Sequence, residues 1–256
     1  MSDGWFIWNG TDSRDMGVIV TTPAPIVYPA ERAETLTVPG RPGFFTRAEG
    51  EGVYDGYIKT VGVGNKHWAD PRAIAAWLRG SGTLILGSEP GFAYQARVLR
   101  EASADRAFPG VYSASVSFMV QPGKAKVPPE SDILITAEAT PVFNPGDFPA
   151  RPIYTLTGSG RMTLTITPAE TQSSLVINPI DTGWEETLTG AIIDSDAMTV
   201  TTPDGEESLT GITTVYGNGH SGLWIPPRAT VYISAGVTDE YGSLTSVLLT
   251  PRWRWL

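Results

Sequence analysis

The sequence predicts a mainly β protein in two domains: a β-sandwich or barrel-like first domain with one helix, and a second domain that is a β-sandwich of jelly-roll type. Three observations carry this. Gly contributes 28 and Pro 21 of the 256 residues, and with abundant Thr, Val and Ile this favours many short strands joined by tight turns. In the second half, turn signals such as "GSGR" and "PDGE" recur every eight to twelve residues, the spacing of a sandwich. The polar, Pro- and Gly-rich stretch "QPGKAKVPPESD" (121–132) lies between two apolar runs and marks a boundary, giving domains 1–125 and 126–256.

The first domain reads as strands at 4–9, 16–21, 33–39, 53–63, 83–88, 92–101 and 111–121. In "VYSASVSFMV", Tyr112, Ala114, Val116 and Phe118 alternate with Val111, Ser113, Ser115 and Ser117, the period of a half-buried strand. One helix is expected in "ADPRAIAAWLRGSG". Asp70 is placed to cap it, Pro71 suits its first turn and Gly80 its end. Ile74, Trp77 and Leu78 fall on one face and should pack on a sheet. The second domain reads as strands at 133–139, 151–158, 162–167, 173–178, 187–193, 197–201, 212–215, 229–234 and 244–249, with a hairpin turn at Asp204-Gly205.

Composition excludes several classes. Apolar residues at 41% and charged residues at 18% rule out a disordered chain. The absence of Cys removes disulfides, zinc–thiolate sites and cysteine nucleophiles. Twelve Lys and Arg balance twelve Asp and Glu in residues 1–125, whereas residues 126–256 hold six against fifteen. The whole net charge of −9 therefore belongs to the second domain, against the basic surface of a nucleic-acid binder. No run approaches eighteen apolar residues, so no membrane insertion is expected. The start "MSDGWFIWNG" has no basic region followed by a long apolar run, so no secretory signal is expected and synthesis in a cytoplasm is.

Candidate chemistry is sparse. His67 in "GNKHWAD" and His220 in "YGNGHSG" read as loop histidines, with no other ligand type beside either. No G-x-S-x-G elbow is present, although a Ser-His-Asp arrangement assembled by the fold stays open here. Paired acids at Asp194/Asp196 and Glu185/Glu186 admit a glycosidase or a Ca²⁺ reading, but Ile192-Ile193 and Met198-Thr199-Val200 bracket the first pair as a turn. "GVGNK" (62–66) and "GSGR" (158–161) fall short of a phosphate loop. No catalytic residue, cofactor or metal is expected. Trp184, Trp224, Trp253 and Trp255 lie in or beside loops and strand ends. Trp184 and Trp224 are candidate contacts for a glycan or a partner, with core packing as the plainer reading.

Two stretches of the first domain are candidate subunit-interface material. The polar turn in "IWNGTDSRDMGVIV" gathers Asp12, Arg14 and Asp15, where either acid pairs with Arg14 locally or meets a neighbouring subunit. "TRAEGEGVYDGYIKT" (46–60), with Glu49, Glu51 and Tyr54, reads as an exposed hairpin or arm.

Taken in order, "NGTDSRDMGVIVTTPAP", "ERAETLTVPGRPG" and "IAAWLRGSGTLILGSEPGFAYQARV" resemble the distal tail protein (Dit) family of phages with long non-contractile tails. "FNPGDFPARPIYTLTGSGRMTLTI", "LTGAIIDSDAMTV" and "VLLTPRWRWL" resemble the galectin-like C-terminal domain of that family, so the likeness spans nearly the whole chain. The resemblance implies a structural virion protein at the phage tail tip. N-terminal domains would form a homohexameric ring joining the tail tube protein to the baseplate hub or fibre protein. DNA would pass through its lumen without specific binding. The C-terminal domains would project outward and support receptor-binding proteins. One departure is local: "WIPPRATVYIS" carries Pro226-Pro227-Arg228 where the family often has a Pro-Gly-Asn turn. Two other readings stand beside this one, a carbohydrate-binding module using the C-terminal sandwich and a tail-associated cell-wall hydrolase.

Overall fold

A computed structural model describes residues 4–37, 39, 42–43, 45–48, 53–66, 68–99, 104–108, 111–136, 138–167, 173–177, 188–216, 223–237 and 242–256. The chain divides into two compact units between Pro128 and Pro129, three residues beyond the boundary expected from composition.

The first unit contains β1 (Phe6–Trp8), β2 (Thr11–Asp12), β3 (Val18–Thr22), β4 (Ala33–Leu36), β5 (Phe45–Ala48), β6 (Tyr57–Asn65), helix α1 (Pro71–Trp77), β7 (Ser81–Leu86), β8 (Phe92–Val98), β9 (Ala104–Phe108), β10 (Val111–Val120) and β11 (Ala125–Lys126). Its main sheet has the antiparallel order β2-β1-β7-β8-β10-β6-β3, with β11 added on β8 and β9 on β10. The Ala125–Lys126 pairing with Phe92 and Ala93 explains the later boundary: the start of the expected linker is a strand of the first unit. Alternation sends Val61, Val63, Val116, Phe118 and Val120 into one core with Phe6, Trp8, Leu84 and Tyr94. β1 and β10 stand three strands apart in the order, about 14 Å if the sheet were flat. Trp8 and Phe118 nevertheless meet with ring centroids 5.4 Å apart, and Phe6 and Phe118 at 5.8 Å. The sheet therefore curls round its aromatic core.

Helix α1 closes that core. Asp70 accepts from the Arg72 backbone N–H at 2.9 Å, Pro71 opens the first turn, and Gly80 follows the end with φ +73°. Ile74, Trp77 and Leu78 face the sheet. Trp77 stacks on Phe6 at 5.5 Å, and its indole N–H donates to the Trp8 carbonyl at 3.2 Å.

The second unit contains β12 (Ile133–Ile135), β13 (Thr140–Phe143), β14 (Ile153–Ser159), β15 (Met162–Thr167), β16 (Ser173–Ile177), β17 (Gly190–Asp194), β18 (Thr199–Thr201), β19 (Thr213–Tyr216), β20 (Thr230–Val237) and β21 (Ser243–Thr250). They form two antiparallel sheets, β12-β21-β14-β17-β18 and β13-β20-β15-β16-β19. Inward residues of both, among them Tyr154, Leu156, Met162, Leu164, Ile166, Ile233 and Leu249, share one core and make a sandwich. Each such side chain contributes roughly 1.5–3 kcal/mol by leaving water. Buried Asn144 ties the loop after β13 to the segment before β20, donating to the Phe148 and Ile225 carbonyls at 2.9 and 3.0 Å and accepting from the Gly146 N–H at 2.9 Å.

Asp204-Gly205 forms the expected turn, with Gly205 at φ +74° and its N–H on the Thr202 carbonyl at 2.9 Å. At the departure from the family pattern, Arg228 takes φ +54°, a conformation that the glycine of a Pro-Gly turn adopts freely. Its guanidinium is tied to Asp147 at 2.6 Å.

Two glycines separate steric from conformational strain. A Cβ on Gly190 (φ +153°) would collide with the Leu156 carbonyl of the neighbouring strand, whereas one on Gly205 meets nothing within 4 Å. Gly190→Ala is expected to destabilise the second unit by roughly 3 kcal/mol or more and Gly205→Ala by about 1 kcal/mol, read from urea unfolding followed by intrinsic fluorescence.

Candidate functional site

The polar turn between β2 and β3 is locally satisfied. The Arg14 backbone N–H donates to Asp12 Oδ1 at 2.8 Å, and the Arg14 guanidinium grips the same carboxylate through Nε at 3.0 Å and Nη2 at 2.5 Å. The hydrogen bond from Arg14 holds the Asp12 carboxyl below its ordinary range. Arg14 also lies 5.1 Å over the Trp5 ring. Ser13, fully buried beneath them, exchanges hydrogen bonds with the Phe6 backbone. Asp15 closes the turn through its N–H on the Asp12 carbonyl at 3.1 Å. The turn joins β2 to β3, which pair with different strands, so it is a connection rather than a hairpin tip, and it leaves no activated acid or base.

The arm has a different extent from the one expected. Its strands are β4 and β5, paired from Ala33↔Ala48 to Leu36↔Phe45. Residues 57–60 belong instead to β6 in the main sheet, because they pair with Ser117–Val120. The base of the arm is clamped. Glu31 and Tyr54 form a bridge, the Arg32 N–H reaches the Val53 carbonyl at 2.8 Å, and the Asp55 N–H reaches that of Ala30 at 2.9 Å. Across it Arg32 Nε meets Asp55 Oδ1 at 2.7 Å. Tyr54 thus sits at the base of the arm; Glu49 and Glu51 lie outside the described residues.

A buried ionic cluster was not anticipated from the sequence. Lys59 occupies the inward register of β6, in line with Val61 and Val63, and is 2% exposed. Its ammonium lies 3.8 Å from Glu89 Oε2, 3.4 Å from the Pro25 carbonyl and 4.9 Å over the Tyr94 ring. Glu89, in the turn between β7 and β8, also accepts from Lys124 Nζ at 2.6 Å and from the Tyr94 hydroxyl. Burial lowers the affinity of Lys59 for its proton. For Glu89, burial pushes the pKa up, but hydrogen bonds from Lys124 and Tyr94 and the two lysine charges outweigh it, and the net shift is downward. Burial and the Glu89 contact raise Tyr94 far above its usual range. The signal was present in the sequence: the alternation Tyr57, Lys59, Val61, Val63 puts a lysine on an otherwise apolar face.

In the second unit Asp194 and Asp196 are turn and ion-pair residues. Asp194 accepts from the backbone N–H groups of Asp196 and Ala197 at 2.9 and 3.0 Å and takes a two-point grip from Arg252, at 2.8 Å on each oxygen. Burial raises its pKa, while those donors and the Arg252 charge lower it further. Asp196 pairs with Arg151 at 2.7 Å. Trp224 is half-buried beside this turn. Its indole N–H donates to the Ser195 carbonyl at 3.2 Å, and the Arg151 guanidinium covers one ring face at 4.1 Å. That face is closed to a stacked sugar. Trp253 is core, and Trp255 packs against it. Trp184, Glu185, Glu186, His67 and His220 lie outside the described residues. Among the described residues no three metal-ligating side chains converge, and no helix is long and apolar enough to cross a membrane.

A curled antiparallel sheet closed by one helix, followed by a two-sheet sandwich, is the class this geometry defines. The same fold is found in the Dit protein (gp 19.1) of phage SPP1, described as a paradigm of the hub adsorption apparatus in phages that infect Gram-positive bacteria. The TM-score is 0.68, covering 96% of this chain and 97% of that chain at 16% identity. The likeness to distal tail proteins seen in the sequence therefore holds at the level of the fold. No protein-family model matches the chain, and no curated protein matches it by sequence.

The buried cluster makes opposite predictions for its two signs. Glu89→Gln leaves two lysines facing each other and is expected to destabilise by roughly 2–3 kcal/mol at pH 7, less than the ~3–5 for a fully enclosed pair because Glu89 is partly exposed. Lys59→Met leaves the Glu89–Lys124 pair intact and is expected to be neutral or stabilising. The folded Glu89 pKa is depressed, so its contribution is present above the unfolded carboxylate value and lost as pH falls through the folded one. Denaturant titrations of both variants at neutral and acid pH read this directly: the penalty of Glu89→Gln should vanish in acid.

Proposed function

We propose that this protein is a structural component of a phage tail tip, in which the first unit self-associates as a six-membered ring between tail tube and hub and the second unit faces outward. The observation that carries the reading is the fold shared with SPP1 Dit over nearly the full length of both chains. Three features support it. The first unit is electrically balanced, so copies pack without mutual repulsion, while the second holds the excess negative charge that favours a solvated outer position. The clamped arm supplies strand edges for contacts between copies. Of the carboxylates singled out in the sequence, Asp12, Asp194 and Asp196 are engaged by arginines, which suits a scaffold rather than an acid–base centre. DNA passage through the ring is a mechanical role and needs no base-reading surface. The partners are a tail tube protein above, a hub or fibre protein below and receptor-binding proteins outside. Trp224, with Arg151 over its ring, has a structural role at one end of the sandwich in this reading.

The test is the native mass of the purified chain by light scattering, with negative-stain images of the same peak. Six copies of a 27.4 kDa chain give about 164 kDa, and an open-centred six-fold ring is expected. Replacing residues 33–52 by a short Gly-Ser linker removes the arm and leaves the main sheet, and should reduce the ring to monomers with little change in the unfolding midpoint. A ring that survived the replacement would remove the arm from the interface.

A further inference from the structure

The segment between β3 and β4 presents two large apolar side chains that its own chain does not cover. Ile26 is 78% and Tyr28 75% exposed. They are not on a loose loop. Ala24 packs against the first core, the Pro25 carbonyl accepts from Lys59, Pro29 is buried, and the Ala30 carbonyl accepts from Asp55. With Pro23, Pro25 and Pro29 restricting φ, Ile26 and Tyr28 are held outward on a stiff support, which reduces the ordering cost of docking.

The same unit contains a matching recess. A groove of about 1280 Å³ lies between α1 and the inner face of the sheet, lined mainly by apolar groups including Ile74, Ala75, Leu78, Val98 and Ala114. It exceeds the ~300–1,000 Å³ of a small-molecule pocket and suits a peptide segment. Two cations line it, Arg79 and Arg97, and neither meets a carboxylate among the described residues. Beyond Tyr28 come the exposed Glu31, at the base of the arm, and Glu34, which stands opposite Arg47 in the β4–β5 register. Of β6 the groove takes Val63, Gly64 and Asn65, whereas the segment meets that strand through the Lys59 bond to Pro25, about 20 Å from Asn65 along a strand. Knob and recess therefore occupy different places on one chain, the requirement for a head-to-tail contact that repeats round a ring.

We propose that Ile26 and Tyr28 of one copy seat in the α1 groove of the next, with Glu31 and Glu34 facing Arg79 and Arg97. The contact rests on the self-association proposed above and specifies its chemistry. A chain without cysteine allows a clean test. In a Tyr28→Cys, Ala75→Cys double variant the two thiols lie on the knob and on the exposed side of the groove. A bis-maleimide linker is expected to give a covalent ladder rising to six chains. A mixture of the two single variants should give nothing larger than dimers, and each single variant alone should stay uncrosslinked. Arg97→Glu is expected to raise the protein concentration needed for assembly about tenfold, and Glu34→Lys in the same chain to restore it. A closed ring near 164 kDa in which the double variant forms no ladder overturns this contact and leaves the ring standing. Dimers from Tyr28→Cys alone overturn it in favour of a two-fold contact. A chain that stays monomeric at every concentration overturns ring and contact together.

Discussion

The ladder between Tyr57–Gly64 and Ser113–Val120 spans eight residue pairs, and the first unit is arranged around it. A strand that long must bury one face, and period-two alternation selects Val61, Val63, Val116, Phe118 and Val120. On the other face Thr60 and Ser117 exchange a hydrogen bond at 2.9 Å. β3 adds to one side of the ladder and β8 to the other, so the segment after β3 and the turn before β8 are delivered to the same end of β6. Curling then follows from filling: Phe6 and Trp8 can reach Phe118 only if the sheet bends round them, and Trp77 stacks on Phe6 from the helix.

Lys59 is the exception within that ladder, and its neighbours explain why it is tolerated. An isolated ammonium in an apolar core is prohibitively costly, but Glu89, the Pro25 carbonyl and the Tyr94 ring meet it at the end of the strand. The cluster joins β6, the turn before β8, the approach to β11 and the segment carrying Ile26 and Tyr28. A polar network of this kind adds little net stability, yet it favours one arrangement of several chain-distant parts over their alternatives.

The second unit shows a different use of charge. Four of its described turn acids are committed: Asp194 to Arg252 and two backbone N–H groups, Asp196 to Arg151, Asp147 to Arg228, and Asp204 to Thr202 and the Glu206 N–H. These bonds close turns between strands whose core is already complete. With six cations against fifteen acids in residues 126–256, net negative charge is left on the surface, where it discourages non-specific association. A neutral first unit beside an acidic second unit is a division of charge that suits the proposed ring.

By itself the sequence determined the features that rest on local rules. The β15 limits 162–167 were legible between turn signals, β10 nearly so from alternation, α1 from Asp70, Pro71 and its apolar face, and the Asp204-Gly205 turn from backbone preference. Short strands without alternation were not legible. β5, β9 and β11 exist because a neighbouring strand offers unpaired backbone groups, and β13 carries Pro141, which an edge strand tolerates. The meeting of Lys59 with Glu89, thirty residues away in the chain, and of Trp224 with Arg151 was decided only by the tertiary structure. Such contacts depend on which strands become neighbours, and that follows from how a whole sheet closes over its core.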